Sequence, residues 1–397
     1  MKKLLQLKKR GSAIPLAMVV VMILLATGTG LLSLGLYSRI ISIRTASDIA
    51  AQCAADAGLT KAIFEMNEKL KVKPWDGSSL PLETEISLPN CDAVYNYTVT
   101  SGAGGYTIQS TGTSNQAART VSCTLQLRGP FESAIFADGY ITLYNSAEVD
   151  WYNYDAGDAN LKVATNSTAN GSVTMKNSAT IKGDVAVGVG GDPETAIELG
   201  NSAEIEGQIT VLTKKHELPP VTVPEAIDSL PSGGTINNNT TISSSGKYSS
   251  INLGNSEKVM ISGDVTLYIT GDITLGNSAE LQIEEDSSLT LYLGGNFEGK
   301  NSSAVNNQTK DARSLQIYGL ESCQEMRFKN SSDLYGVIYA PNAYVVMDNS
   351  AKVCGAAVCK NFDLKNSGVF MYDASLRDAS VNDMAVYFTI TNWHEPR

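Results

Sequence analysis

The stretch "GNSAE" at Gly200–Glu204 is spelled again, letter for letter, at Gly276–Glu280, within "AIELGNSAEI" and "DITLGNSAEL". Nine Asn-Ser pairs share this framing, with Asn145, Asn177, Asn201, Asn255, Asn277, Asn301, Asn330, Asn349 and Asn366 in the key place. Four positions before the Asn the residue is apolar, as in Ile141, Val173, Ile197, Ile251, Ile273 and Phe362. Four positions after, it is Val149, Ile181, Ile205, Val259, Leu281 or Phe370, and two after it is nearly always small. Residues two apart on a strand share a face. Carried through the pair, that alternation sets the Asn on the buried face. An inward Asn in every copy has a use if the copies stack, because its amide donors and acceptor can bond the next Asn along the stack. Asn also accepts the left-handed backbone of a bend, and the small residue after it leaves room in the corner.

Spacing gives the kind of stack. With a degenerate copy, "GGTINNNTTI", placing Asn238 in the key position, six of the nine intervals lie between 17 and 24 residues. That is the length of one coil of a β-solenoid, whose repeats are stable only when stacked. The longer intervals hold loops such as "HELPPVTVPEAIDSLPSGG" (His216–Gly234). About ten coils are expected over residues 131–376, followed by a C-terminal cap at 377–397.

The N-terminus reads differently. "MKKLLQLKKRG" carries five basic residues, and Ser12 to Ser38 are 27 residues without a charge. An apolar helix of that length spans a bilayer, with its basic flank on the cytoplasmic side. A secretory signal would have a shorter apolar core and a small-x-small cleavage site. Here helical spacing continues from Ile40 through Ile43, Ile49, Ala50, Cys53, Ala57, Ile63 and Met66 to Leu70, until Pro74 stops it. The expected helix covers 12–73, a rod of roughly 80 Å at 1.5 Å per residue.

Two stretches, "KKRGSAIPLAMVVVMILL" and "AADAGLTKAIFEM", resemble the type IV pilin-like proteins, and more closely the PilX-type minor pilins. "DLYGVIYAPNAYVV" and the closing "YFTITNWHEP" are similar to the C-terminal part of the same group. The resemblance implies a leader over 1–11, cut by a prepilin peptidase between Gly11 and Ser12. It implies other pilin-like subunits as partners, with Leu16 and Asp56 among the helix contacts of a filament. Leu16 stands at the fifth mature position, where major pilins carry Glu. The implied location is a single-pass membrane protein before assembly and an extracellular pilus afterwards.

Between helix and repeats, residues 74–130 read as a small sheet with strands at Val94–Thr100, Tyr106–Thr111 and Arg119–Leu127. Cys91 and Cys123 flank it and could form a disulfide; Cys323 could pair with Cys354 or Cys359, and Cys53 in the helix is left over. Outside the first ten residues Lys and Arg are scattered, and the net charge is −11, which argues against nucleic acid as a partner. No catalytic or metal-binding motif is present. "DAGDAN" at Asp155–Asn160 lacks the spacing of a calcium loop. Polysaccharide lyases built on a β-helix need clustered basic residues, whereas Arg313 is the sole Arg between Asp138 and Cys323.

The expectation is therefore a mainly β protein: an N-terminal transmembrane α-helical rod, a small antiparallel sheet and a β-solenoid. It is not read as an enzyme and needs no cofactor or metal. The function expected is that of a minor pilin or pseudopilin-like subunit at the tip of a type IV pilus or related secretion filament. There the solenoid would meet a surface or glycan ligand or prime assembly. The alternatives are a membrane-anchored scaffold unrelated to a pilus and a carbohydrate-active β-helix enzyme.

Overall fold

The structure, a computed structural model, describes residues 13–72, 75–102, 105–153, 161–329, 333–348, 350–381 and 385–395. Gly11, Ser12, Pro74, Asp155–Asn160, Asn330 and Asn349 lie outside them. The chain divides into two compact units. One takes in the N-terminal helix, the strands up to Gln126 and the residues from Phe388 onward; the other is essentially Leu127–Tyr387.

In the first unit a single helix, α1, runs over Ala13–Leu70. Half of its residues are good helix formers such as Ala and Leu, and Lys69 in the last turn complements the negative end of the helix dipole. The sheet is five-stranded. Val94–Gly102, Gly105–Ser114 and Ala117–Arg128 pair antiparallel in unbroken register, as their alternation of buried and exposed residues predicts. Two strands were not expected. Leu82–Ser87 adds to one edge, and Tyr387–His394 adds to the other. Tyr387–His394, expected within a cap on the repeats, is thus the fifth strand of this sheet.

In the second unit every strand pairing among the described residues is parallel, and strands inside the stack lie between counterparts from neighbouring repeats. The positions four before each Asn form one row. Ile197 pairs with Val173, Val173 with Ile141, Ile141 with Phe362 and Phe362 with Val345. The row continues through Met326, Phe297, Ile273 and Ile251 to Ile236. Nearly all of these side chains are buried, at about 1.5–3 kcal/mol of hydrophobic stabilisation each.

The rungs do not stack in chain order. The first repeat, with Ile141, pairs on one side with Val173 and on the other with Phe362, which lies 221 positions later. From the first repeat the chain builds outward to Ile197–Val211, which pairs on one side only among the described residues. It then crosses to the far end, restarts at Thr235, and builds back until Val369–Asp373 lies against Glu148–Asn153. The crossing segment is the Pro-rich stretch, and it is a strap laid along the repeats. His216 exchanges backbone hydrogen bonds with the Asn166 side chain, at 2.8 and 3.0 Å, and its ring lies 5.0 Å from the Phe136 ring at a tilt of 37°. Further on, Tyr339 Oη donates to Pro219 O at 2.8 Å and Lys247 Nζ donates to Asp228. Beneath the strap runs a file of outward tyrosines in register, Tyr268, Tyr292, Tyr318 and Tyr339. The last three are buried although they point away from the aliphatic core.

The Asn residues are not inside. Asn145, Asn177, Asn201, Asn255, Asn277, Asn301 and Asn366 are all exposed. The reason is local. In "GNSA" the N–H of the fourth residue returns to the carbonyl of the first, as Ala279 does to Gly276 at 3.1 Å. The third residue is left-handed, with φ between 55° and 61° at Ser146, Ser178, Ser202, Ser256, Ser278, Ser302, Ser350 and Ser367. Positive φ at the third place marks a type II-like turn. The turn breaks the in-out alternation, so flanking aliphatics face inward on both sides while the Asn stands at the apex. Ser, not Asn, takes the left-handed position. The corners still bond along the stack, chiefly through backbone. Ser178 N–H donates to Asn201 O, Ser256 N–H to Asn277 O, and Ser367 N–H to Asn145 O. Asn side chains join in where Asn177 and Asn255 accept from the N–H of Asn201 and Asn277, and where Asn145 donates to Asn366. Asn238 is out of step, since Ile236 pairs with Ile251 and Ile242 with Ile261.

Candidate functional site

The helix α1 has two chemically distinct halves. From Ile14 to Tyr37 almost every large apolar side chain is exposed, Leu16 at 70 %. The most apolar 18-residue window has a mean hydropathy of 2.2 and none of it is buried in the protein. Length and composition are those of a membrane-crossing helix.

The second half docks on the sheet through its small residues. Ser47, Ala51, Ala54, Ala55, Leu59, Ala62, Met66 and Leu70 are buried. Contact is close because glycines meet on both sides. A Cβ at Gly112 would lie 2.1 Å from the Ala51 carbonyl oxygen, and one at Gly58 would lie 2.4 Å from Ser110 Oγ. The larger aliphatics of the expected stripe turn the other way: Ile43 and Ile49 are exposed, as is Phe64. Small residues weigh little in a hydropathy pattern, yet here they let two backbones approach.

Polar contacts frame this interface. Arg119 donates two hydrogen bonds to Asp48, one of them 2.9 Å from Nε, and this holds the Asp48 carboxyl below its usual range. Tyr97 Oη donates to Glu65 at 2.5 Å; burial and then that bond push its phenol up. Asp56, expected at a filament contact, is half-buried and accepts from Gln52 of the same helix at 3.3 Å. Leu16 and Asp56 are therefore placed on one helix but not brought together.

The cysteines are free. Cys123 pairs with Ile108, which pairs with Val99, whereas Cys91 precedes Val94, the far end of that strand. Five residues of strand are already roughly 17 Å, and two strand widths are added, well beyond disulfide reach. The Cys91–Cys123 staple is thus ruled out by register. Burial pushes the thiols of Cys123 up to about 11 and of Cys323 and Cys354 up to about 12.

Among the described residues no group of three or more His, Cys, Asp or Glu side chains is placed to hold a metal ion. A concavity of about 700 Å³ on the repeats is lined by Asp150, Trp151, Lys182, Asp184, Glu206 and Gln208. Its cation is engaged: Lys182 Nζ lies 2.7 Å from Asp150 and 2.5 Å from Glu148, which raises its pKa. Sequence reading did not find this cluster, since its members come from repeats 32 and 24 positions apart that carry no common motif.

A family model described as "Domain of unknown function (DUF7305)" matches residues 194–379, within the repeats. Among solved structures the chain is similar to the competence-associated pilin ComZ from Thermus thermophilus. The alignment has 13 % identity and a TM-score of 0.29, and covers 88 % of this chain and 97 % of that one. No curated protein matches.

Proposed function

We propose that this chain is a minor pilin-like subunit of a type IV pilus or related secretion filament. The parallel repeats would form a β-solenoid of about ten coils that serves as its extracellular surface. The observation that carries the proposal is α1: one uninterrupted helix, bare and apolar over its first half, small-faced and docked on an antiparallel sheet over its second. A helix of this kind is suited to reside in a bilayer and then exchange lipid for the helices of neighbouring subunits. The "KKRGS" leader supports cleavage between Gly11 and Ser12 by a prepilin peptidase. With Leu16 in place of a carboxylate, the subunit offers no charge partner to the amine of the protomer above. A buried unpaired amine is costly, so a tip position, needing only one of the two axial contacts, is favoured.

Co-expression with a prepilin peptidase tests this. N-terminal sequencing should give a start at Ser12, and Gly11→Leu should leave the precursor uncut. In cells, gold-labelled antibody should mark few sites, at filament tips. A native start at Met1, or label along the whole filament, would overturn cleavage or tip placement respectively.

A further inference from the structure

The two ends of the stack are built differently. At the end formed by Thr235–Ile242 the core-facing Ile236 and Ile242 are buried, and the exposed positions are Thr and Asn. At the other end, Ile197–Leu199, Glu204–Ile205 and Ile209–Val211 each pair on one side only among the described residues. Their core positions lack a lid. Leu199, Ile209 and Val211 are 48, 45 and 38 % exposed, while their rung partners Met175, Val185 and Val187 are fully buried. A row of open strand edges beside uncovered aliphatics is a template for another strand.

Charge narrows what that strand can be. Between Lys182 and Lys214 there is no basic residue, whereas Asp184, Asp192, Glu194, Glu198, Glu204 and Glu206 all fall there. The open edge is therefore apolar at the centre and acidic at the rim. A second copy meeting it end to end would bring two acidic rims together. The neutral end of a second copy offers no apolar counterpart.

We infer that the Ile197–Val211 end is a docking site for an extended segment of another protein in which aliphatic residues alternate with Lys or Arg. It would add as one further parallel or antiparallel rung. Backbone hydrogen bonds would supply the pairing, Leu199, Ile209 and Val211 would take the aliphatic side chains, and Glu198, Glu204 and Glu206 would select the basic ones. The site does not depend on whether the chain enters a filament.

The probe is a synthetic peptide of alternating Lys and Val, titrated by fluorescence anisotropy against the full chain in nanodiscs of zwitterionic lipid. The same composition with Lys and Val in separate blocks, and an alternating Glu-Val peptide, serve as comparisons. Saturable binding of the alternating basic peptide is expected, at least about tenfold tighter than either comparison peptide. The exposed triple substitution Glu198→Lys, Glu204→Lys, Glu206→Lys should weaken it by about tenfold or more. Hydrogen exchange of the unmodified chain gives an independent reading, with amides in 197–211 slowing when peptide is added. Equal binding of alternating and blocked peptides, insensitivity to the triple substitution, or protection elsewhere than 197–211 would each overturn the inference. Dimerisation abolished by Val211→Lys would do so too, by making a second copy the occupant.

Discussion

At the Asn-Ser corners of the described repeats a single Ser carries the backbone strain. A left-handed conformation costs an L-residue about 1–2 kcal/mol, and glycine recovers this at about 0.5–1 kcal/mol of extra unfolded-chain entropy. Ser278→Gly is therefore expected to stabilise the protein by about 0.5 kcal/mol, and Ser278→Val to destabilise it by more than about 1 kcal/mol, in urea denaturation. Asn255→Ala removes the acceptor for Asn277 N–H at an exposed corner and should cost under about 1 kcal/mol. An Asn255 effect well above 2 kcal/mol would show the corner amides to be structural after all. The rows of aliphatics were legible in the sequence because Ile141, Val173 and Ile197 keep their offset from the Asn. The direction of the Asn was not, because alternation holds along a strand and fails across a four-residue turn.

At the level of the element, α1 and its sheet depend on backbone approach. A side chain at Gly112 has no room beside Ala51 and Ala55, so the helix must lift. Gly112→Leu should cost about 1–3 kcal/mol by overpacking, seen as faster hydrogen exchange over Ala51–Met66. Ile49→Ala, on the exposed face, should stay within about 0.5 kcal/mol, and equal effects at the two positions would contradict the packing described. The extent of the helix and three of its partner strands could be read from periodicity. The docking face could not, because Ala54, Ala55 and Gly58 bury little area and the eye follows Ile43 and Ile49 instead. The strands Leu82–Ser87 and Tyr387–His394 were missed because one is only six residues long and the other pairs with a strand some 270 positions earlier in the chain, as the bond from Ser122 to His394 shows.

At the level of the whole molecule, chain order and spatial order part company, and no local pattern could have announced it. A rung's parity is the same whichever repeat lies beside it. The strap that makes the crossing carries His216, whose pKa burial lowers; Glu132 opposes that shift, and Lys162 and Lys214 add to it. The folded state thus prefers the neutral ring. At a pH above the unfolded value of about 6.5 this preference costs nothing. Below it the unfolded chain takes up a proton that the folded chain resists, so stability falls. His216→Gln keeps the backbone bonds to Asn166 and should lose less stability than the wild type between about pH 7.5 and about pH 5.5. Identical pH dependence of the two denaturation midpoints would remove His216 from the account.

The meeting of the first repeat with the last also sets a timetable. A chain made from its N-terminus delivers Ile141 long before Phe362, its neighbour in the finished stack. The early repeats can zip outward to Val211, but the inner edge of the first one waits for the final strands. Loop closure over some 220 residues adds only modestly to the entropy cost, since each doubling of length adds about 0.6 kcal/mol. The delay falls on the rate, because such distant pairings form last. The closing contact is therefore a completion check: a chain cut short before Lys352 keeps a raw edge in its middle, and one that reaches Asp373 has it sealed.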